Sequence, residues 1–438
     1  MNVLFAGGRM LDAADFTLDN RTRAAAAAAM ACADNAYSDL IDDDGHQYVD
    51  LVMEGGGVLG IALVGYTYVL EKAGIRFLGI GGTSAGAINA VMLAALGKPG
   101  DEKCGELARL LAGMPIASFI DGDGDARDFS NAVLNKAGMA KLLWKAVQVM
   151  DNLREDLGLH PGDAFLRWLS KALEENGVRS MTDLQVKLAD VPASLRIRRG
   201  IRSGIALSPE EKTGQLAMVA ADVTTETKVE LPRMADLYWK NPAAVNPACF
   251  ARASMSIPFF FHPFRVRGCP RNTAAQWKRA GYCGELPQDV IFMDGGIMSN
   301  FPINLFHEPY RVPLAPTFGV KIGIHRNAPA RITKPAHLLS AIFDAARHTL
   351  DEDFITQNPD YRQLVEMIDT GHHHWLNFSM SDEDKLDLFV RGAEAAAGFL
   401  RKFNWHEYKK TREGIAAAFL TSEQARTHAS DGTVMPEN

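Results

Sequence analysis

Apolar residues recur along this chain at two spacings, and together they predict strands that alternate with helices. Four apolar runs have the length of buried strands: residues 46–53, 78–81, 215–221 and 290–293. Apolar positions at helical spacing follow the first two runs, over 61–73 and from residue 85 onward. Strands that alternate with helices in this way are typical of an α/β fold with parallel strands.

A serine at position 84 stands where the second strand meets the following helix. Gly82, Ala85 and Gly86 surround it in the sequence GTSAG, so the turn carries no bulky neighbour. This strand-to-helix turn strains the serine backbone and presents the hydroxyl at the sheet edge, an arrangement called a nucleophile elbow. Ala85, at the start of the helix, offers a free amide to an oxyanion. We therefore predict that Ser84 is a nucleophile, against the alternative of a glycine-rich packing turn.

The first strand runs into a second glycine-rich turn, EGGGVLG. Gly55, Gly57 and Gly60 match G-x-G-x-x-G between a strand and a helix, the fingerprint of a dinucleotide site. That site needs an acidic residue about twenty positions later, where this chain has the elbow serine. We favour a pocket shared by both turns, in which the amides of Gly55, Gly56 and Gly57 face an oxyanion. A dinucleotide-dependent oxidoreductase is the rival class.

A serine nucleophile needs a base, and Asp294 is the strongest candidate. It ends the last apolar strand and is followed by two glycines, which permit a tight turn. We expect its carboxylate at the same edge of a parallel sheet as Ser84. Asp222 is placed similarly but lacks the glycine pair. A serine, acid, histidine triad stays open because histidines follow Asp294, among them His307, His325, His337, His348, His372, His373 and His374.

Composition narrows the class of protein. The chain has 438 residues, 47% of them hydrophobic, and a formal charge of −7 with a pI near 6.0, which argues against a general nucleic-acid binder. Five scattered cysteines without a CxxC pair suggest neither a disulfide framework nor a zinc site, and fit a reducing compartment. The basic stretch LRIRRGIR either meets phosphate headgroups or forms a solvated strand face.

Two segments resemble a calcium loop and a membrane span, and we interpret both as ordinary parts of the fold. Asp121, Asp123 and Asp125 mimic a calcium loop, but the required glycine and glutamate are replaced by alanines, so we expect a polar loop. The uncharged stretch 77–97 contains the elbow, so we expect a buried strand, turn and helix rather than a membrane span. The N-terminal residues lack a secretory pattern. We expect a cytoplasmic protein that meets membranes only peripherally.

The order GGGVLG, GTSAG, ASMSIP and DGG, followed by Asn300 and Pro302, resembles the patatin-like phospholipases. The resemblance runs from about Tyr48 to Leu400. It implies a three-layer α/β/α fold around a mainly parallel sheet and a catalytic dyad, here Ser84 and Asp294. By the same resemblance, glycines 55 to 57 form the oxyanion hole. Many members carry Lys or Arg at the position of Leu59, so backbone donors act here without that charge.

We therefore expect a lipid acyl hydrolase of the phospholipase A or lysophospholipase type. Its substrate would be a phospholipid or another acyl lipid at a membrane surface or micelle, and the chemistry requires no metal or organic cofactor. Alternatives are a neutral glyceride lipase with the same mechanism, the oxidoreductase, and a catalytically silent lipid-binding regulator. We predict an alanine-rich helical extension over 1–45, a hydrolase domain over 46–403 with a helical insertion at about 98–180, and a tail over 404–438. Both the N-terminal and the C-terminal extension are expected to be helical.

Overall fold

A computed structural model describes residues 11–124, 156–201, 207–209, 211–306, 311–323, 329, 332–333, 356 and 358–431. The strands are β1 (Leu40–Ile41), β2 (Gln47–Met53), β3 (Ile75–Thr83), β4 (Gly158–His160), β5 (Arg196–Ile197), β6 (Gln215–Asp222), β7 (Thr227–Leu231), β8 (Phe259–Phe261), β9 (Phe264–Arg267), β10 (Asp289–Asp294), β11 (Thr317–Gly323) and β12 (Val365–Asp369). The α-helices are α1 (Ala13–Thr17), α2 (Asn20–Met30), α3 (Ile61–Lys72), α4 (Ala85–Leu96), α5 (Cys104–Ala112), α6 (Asp163–Glu175), α7 (Met181–Ala189), α8 (Ala248–Ser254), α9 (Ala274–Arg279), α10 (Asp382–Lys402) and α11 (Trp405–Asp431).

One mixed sheet forms the centre of the molecule, with the strand order β12-β11-β2-β3-β6-β10-β9. The neighbours from β12 to β6 are parallel, whereas β10 and β9 are antiparallel additions and β7 forms a hairpin with β6. β3 is buried along its whole length, as expected for a central parallel strand covered on both faces. Helices flank this sheet, so the prediction of an α/β fold around a mainly parallel sheet is confirmed.

Strands β3 and β10 lie end to end along one edge of β6. Thr83, the last residue of β3, pairs with Val219, and Asp294, the last residue of β10, pairs with Ala220. The other edge of β6 is occupied by β7, which pairs with both of these β6 residues. Because β10 is antiparallel to β6, the premise that Asp294 ends a parallel strand was wrong. The two carboxyl ends still meet, because they run toward each other.

Both terminal segments pack against the domain. In α2, which contains the alanine-rich run, Ala25 and Ala29 are buried, and Arg21 pairs with Glu394 of α10 at 2.8 Å. At the other end, the Trp405 indole N–H donates to Asp39 at 2.8 Å, and Arg412 of α11 pairs with buried Asp360 at 2.8 Å. The predicted helical character of these segments is confirmed, while the domain boundaries at 45 and 403 stay predictions.

The stretch 77–97 forms most of β3, the elbow turn and α4, as the sequence predicted. None of the helices within the described ranges is long and apolar enough to cross a bilayer. All five cysteines are free thiols in the structure. Asp121 accepts hydrogen bonds from the amides of Gly162 and Ala164, both at 2.8 Å, and so stabilises the start of α6. Asp125 of the calcium-like loop lies outside the described residues.

Candidate active site

The backbone of Ser84 has φ 51° and ψ −114°, a conformation that a residue with a side chain rarely adopts. The residue is 4% exposed and joins β3 to α4. Its amide donates to the hydroxyl of Ser254 at 2.8 Å, and that hydroxyl donates to the carbonyl of Val219 at 2.5 Å. These hydrogen bonds hold the strained turn, which has the conformation of a nucleophile elbow.

Asp294 lies beside this elbow and is 3% exposed. Its amide donates to the carbonyl of Ser256 at 2.8 Å, and its Oδ1 accepts from the amide of Gly296 at 2.8 Å. A side chain at Gly295 would overlap the Val219 carbonyl and lie within 3.0 Å of the Thr83 methyl group. The glycine after Asp294 is therefore what lets β10 end directly against the end of β3.

One segment, Ser254–Ser256, contacts the backbone of both candidate residues. Arg252, which lies in α8 one turn before Ser256, stabilises this segment. Its guanidinium donates to the Ser256 hydroxyl at 2.6 Å and to the carbonyls of Pro161 and His262 at 2.6 and 2.8 Å. The arginine is 3% exposed, and burial lowers its pKa to about 10. Sequence reasoning missed it, although a lone arginine within the apolar stretch ACFARASMSI was a signal.

The glycine-rich turn is fixed to the segment after β10. The Gly55 amide donates to the carbonyl of Asn300 at 3.0 Å, and the Asn300 side-chain amide donates to Glu54 at 3.1 Å and to the Gly55 carbonyl at 3.2 Å. A side chain at Gly55 would lie 3.2 Å from the Ser84 Cβ atom, so the turn passes close to the serine. Because its amide is already hydrogen-bonded, Gly55 does not present an oxyanion donor in this structure. Its lack of a side chain instead lets the turn pass close to Ser84.

Three other predicted donors remain. Gly57 has φ 55°, a left-handed conformation that favours glycine. Within the described parts of the chain, the amides of Gly56, Gly57 and Ala85 make no hydrogen bond to protein. Gly60 packs against Ala85, where an added Cβ would lie 2.8 Å from the Ala85 methyl group. The third glycine of the fingerprint thus brings the two turns together.

Ser84 and these turns line one apolar cavity of about 90 Å³. Gly57, Ala85 and Asn89 lie beside the serine, and aliphatic and aromatic side chains form the remaining wall. Those side chains come from α3 to α6 and the segments beside them, from the stretch from α8 to β8, and from the segment before α10: Val58, Ile61, Val64, Ile88, Met92, Leu107, Leu110, Leu111, Met114, Ile116, Phe119, Phe165, Met255, Ile257, Phe261 and Phe378. Of the FFF stretch, Phe261 lines the cavity whereas Phe259 is 52% exposed.

The alternative bases have other roles or lie elsewhere. Asp222 accepts from the amides of Thr224 and Thr225 at 2.8 and 3.3 Å and from the hydroxyls of Thr225 and Tyr238 at 2.7 and 3.3 Å. Burial raises its pKa, and these hydrogen bonds oppose that rise. It therefore stabilises the β6–β7 turn. His307, His325, His337 and His348 lie outside the described residues, and the cavity wall in its described part includes none of His372, His373 and His374.

The basic stretch after residue 195 serves the fold. Arg196 pairs with Asp43, and Arg198 donates to the carbonyl of Ser38 and to Gln47. These contacts attach β5 to the segment around β1. They favour the structural interpretation over headgroup binding for these two arginines.

Comparison with known proteins places this chain in a family. The model for the patatin-like phospholipases matches residues 51–307, which include every candidate from Gly55 to Asp294. The chain belongs to the patatin-like phospholipase family, a family of lipid hydrolases.

The individual relative and the two solved structures that follow share 27% or less of their sequence with this chain. The uncharacterized protein YqhO of Bacillus subtilis (strain 168) is 27% identical over 360 residues, which cover 82% of this chain and all of YqhO. VipD from Legionella pneumophila has a TM-score of 0.40 and 16% identity, over 84% of this chain and 70% of VipD. The heterodimeric ExoU–SpcU complex of the type III secretion system of Pseudomonas aeruginosa gives a TM-score of 0.34 and 15% identity, over 89% of this chain and 64% of that one.

Proposed function

We propose that this protein hydrolyses the carboxylic esters of phospholipids or lysophospholipids with Ser84 as the nucleophile and Asp294 as the base. The observation that carries the proposal is the strained elbow at Ser84, which lies on the wall of an apolar cavity beside the end of the strand that bears Asp294. Membership in the patatin-like phospholipase family supports the same reaction class.

In the first half of the reaction, the Asp294 carboxylate accepts the proton of the Ser84 hydroxyl while Oγ attacks the ester carbonyl carbon. The carbonyl oxygen becomes an oxyanion, and the amides of Gly56, Gly57 and Ala85 donate to it. Donors that are fixed before the reaction need no reorganisation when the charge develops. When the tetrahedral intermediate collapses, the alcohol leaves with the proton held by Asp294, and the acyl group stays on Ser84.

In the second half, Asp294 accepts a proton from water, and the resulting hydroxide attacks the acyl carbonyl. The same amides stabilise the second oxyanion. Collapse of that intermediate releases the fatty acid and returns the proton from Asp294 to Ser84. Each bond that forms or breaks is accounted for by these two side chains and water, so the chemistry needs no cofactor.

The cavity argues for an acyl chain as the part of the substrate that enters the protein. The wall beyond Ser84 consists of apolar side chains, and a hydrocarbon gains about 0.8 kcal/mol for each CH₂ that it buries. The ester carbonyl would lie at Ser84, and the headgroup would stay toward the solvent. A neutral glyceride presents the same ester, so headgroup preference is the property that separates the two substrate classes.

Fatty-acid release tests this proposal. Purified wild-type protein is incubated with phospholipids, lysophospholipids and neutral glycerides, and the freed acid is measured beside Ser84→Ala, Asp294→Asn and the exposed control Ser118→Ala. We expect the first two variants to lose nearly all release and Ser118→Ala to match the wild type, with the phospholipid panel preferred. Full release by folded Ser84→Ala, or vesicle binding by the wild type without any release, would contradict the proposal.

A further inference from the structure

The three adjacent histidines lie in a loop that touches the oxyanion turn. This histidine loop, residues 370–378, follows β12 and precedes α10. The Val58 amide donates to the carbonyl of Trp375 at 3.0 Å, and a side chain at Gly57 would overlap that carbonyl. Phe378, at the end of the loop, lines the cavity. The position of the histidine loop therefore decides where Gly57 and its amide lie.

His372 and His373 converge with Asp384, in the first turn of α10. One ring nitrogen of each histidine and one Asp384 oxygen lie within 4.8 Å of one another. His373 Nδ1 and Asp384 Oδ1 lie 3.5 Å apart. The other nitrogen of His373, Nε2, lies 3.0 Å from Asp387 Oδ2. The His373 side chain is 3% exposed, whereas His372 is exposed.

This geometry leaves a gap in the hydrogen bonding of His373. A neutral imidazole carries one proton, and a carboxylate oxygen only accepts. If Nε2 donates to Asp387, Nδ1 presents a lone pair to an Asp384 oxygen 3.5 Å away, and the two repel each other. A positive species between them removes that repulsion. Either a second proton on the imidazole or a metal ion does so.

We propose that His372, His373 and Asp384 bind a Zn²⁺ ion. Zinc takes imidazole and carboxylate ligands at about 2.0–2.2 Å in tetrahedral geometry, which separates two ligand atoms by about 3.4 Å. The 3.5 Å between His373 Nδ1 and Asp384 Oδ1 matches that separation. The exposed His372 supplies the third protein ligand, and water completes the fourth position.

Asp387 supplies the outer partner that a metal-bound histidine needs. A ligating imidazole generally donates its other N–H to a carboxylate, which fixes the tautomer and the ring orientation. His373 Nε2 and Asp387 stand in this relationship, and Arg391 holds the same Asp387 oxygen at 2.6 Å. Arg391 also donates to the Asp369 carbonyl at 3.1 Å, which anchors the base of the histidine loop. The proposed site is therefore oriented by residues that are already hydrogen-bonded.

Zinc at this position would attach the histidine loop to α10 two residues before Trp375. That attachment would hold the Trp375 carbonyl against Gly57 and Val58 and so keep the oxyanion turn in place. This consequence for catalysis rests on the proposed function. The metal site itself does not, because binding is measured without substrate.

Calorimetric titration of the chelator-treated full-length chain with Zn²⁺ tests the proposal. We expect one ion per wild-type chain, loss of binding in His372→Ala and in Asp384→Asn, and unchanged binding in the control His374→Ala, which alters the neighbouring histidine. Asp387→Asn should weaken the affinity about 10- to 100-fold. His372→Ala removes an exposed ring, so it is informative even if substitutions of the 3% exposed His373 side chain impair folding.

Co²⁺ provides a second measurement on the same proteins. A tetrahedral nitrogen and oxygen site gives Co²⁺ visible absorption bands, which should appear in the wild type, be lost in His372→Ala and persist in His374→Ala. Absence of Zn²⁺ binding by the wild type, or equal binding by His372→Ala, would overturn the site and leave a proton between His373 and Asp384. Zinc binding without fatty-acid release would instead contradict only the proposed function.

Discussion

The amide of Ser84 donates to the side-chain hydroxyl of Ser254 at 2.8 Å. Two residues further along the chain, the carbonyl of Ser256 accepts from the amide of Asp294, also at 2.8 Å. A single short segment thus positions the backbone of both proposed catalytic residues. Within the ASMSIP motif, the first serine acts through its side chain and the second through its main chain. The two serines should therefore respond differently to substitution.

Ser254→Ala should impair catalysis more than binding. The variant leaves the buried Ser84 amide without its acceptor, a loss that typically costs about 1–3 kcal/mol, and it releases the strained elbow. We expect kcat for ester hydrolysis to fall about 10- to 100-fold with little change in KM. Steady-state kinetics check this. Ser256→Ala is the matched control, because it keeps the carbonyl that holds Asp294. Its kcat should fall less than that of Ser254→Ala, and an equal loss of kcat in the two variants would argue against the assignment.

Asp294→Asn and Asp222→Asn separate the two candidate bases. Asparagine keeps the shape of aspartate but does not accept a proton from Ser84 at neutral pH, so Asp294→Asn should lose most of its fatty-acid release. Asp222 stabilises the β6–β7 turn, so Asp222→Asn should lower the melting temperature and leave kcat close to that of the wild type. The reverse pattern, with activity lost only in folded Asp222→Asn, would assign the base to Asp222.

Because Lys103 is buried, the difference in stability between the wild type and Lys103→Met should depend on pH. Lys103 is 2% exposed, and burial lowers its pKa from 10.5 to about 8. Between these values the unfolded chain binds more protons than the folded chain, so the contribution of Lys103 to stability rises with pH across that window. Below pH 8 the buried charge costs up to about 3 kcal/mol. Lys103→Met should therefore be more stable than the wild type near neutral pH.

Chemical denaturation of the two proteins from about pH 7 to about pH 10 measures this effect. The advantage of Lys103→Met should shrink as the pH rises through 8, because the wild-type lysine then loses its proton in the folded state. An advantage that stays constant over this range would show that packing, and not charge, accounts for the difference.

The apolar wall of the cavity should set acyl-chain preference. Met114 is partly buried, follows α5 by two residues and lines the cavity. Met114→Trp fills part of that space, so we expect a shift in kcat/KM toward esters with shorter acyl chains. Met114→Leu, which conserves volume, should keep the wild-type preference. A chain-length series of one ester class measures both, and an unchanged profile in Met114→Trp would exclude this wall from the acyl site.

Local patterns predicted the elements that carry the site. The elbow at Ser84 followed from two glycines and an alanine at a strand-to-helix junction, and the structure shows the expected strained backbone there. The strand before Asp294 was also correct. Its direction was not, because an apolar run of four residues has the same pattern whether its neighbour is parallel or antiparallel.

Hydrogen bonds between residues far apart in the chain could not be predicted from the sequence. The Gly55 amide, predicted as an oxyanion donor, donates to Asn300, 245 positions away. Arg252 stood out as a charged residue in an apolar stretch, but the sequence did not indicate its partners. It donates to backbone carbonyl groups, which any residue could supply. The convergence of His372 and His373 with Asp384 likewise depends on how the loop after β12 meets α10.

Labelling with a fluorophosphonate, followed by peptide mapping, tests the central claim most directly. The probe reacts only with a serine that has been activated by a base and an oxyanion site. We predict one labelled peptide, with the adduct on Ser84, strong in the wild type, absent in Ser84→Ala and much slower to form in Asp294→Asn. Labelling at another serine, or equal labelling in folded Asp294→Asn, would contradict the account.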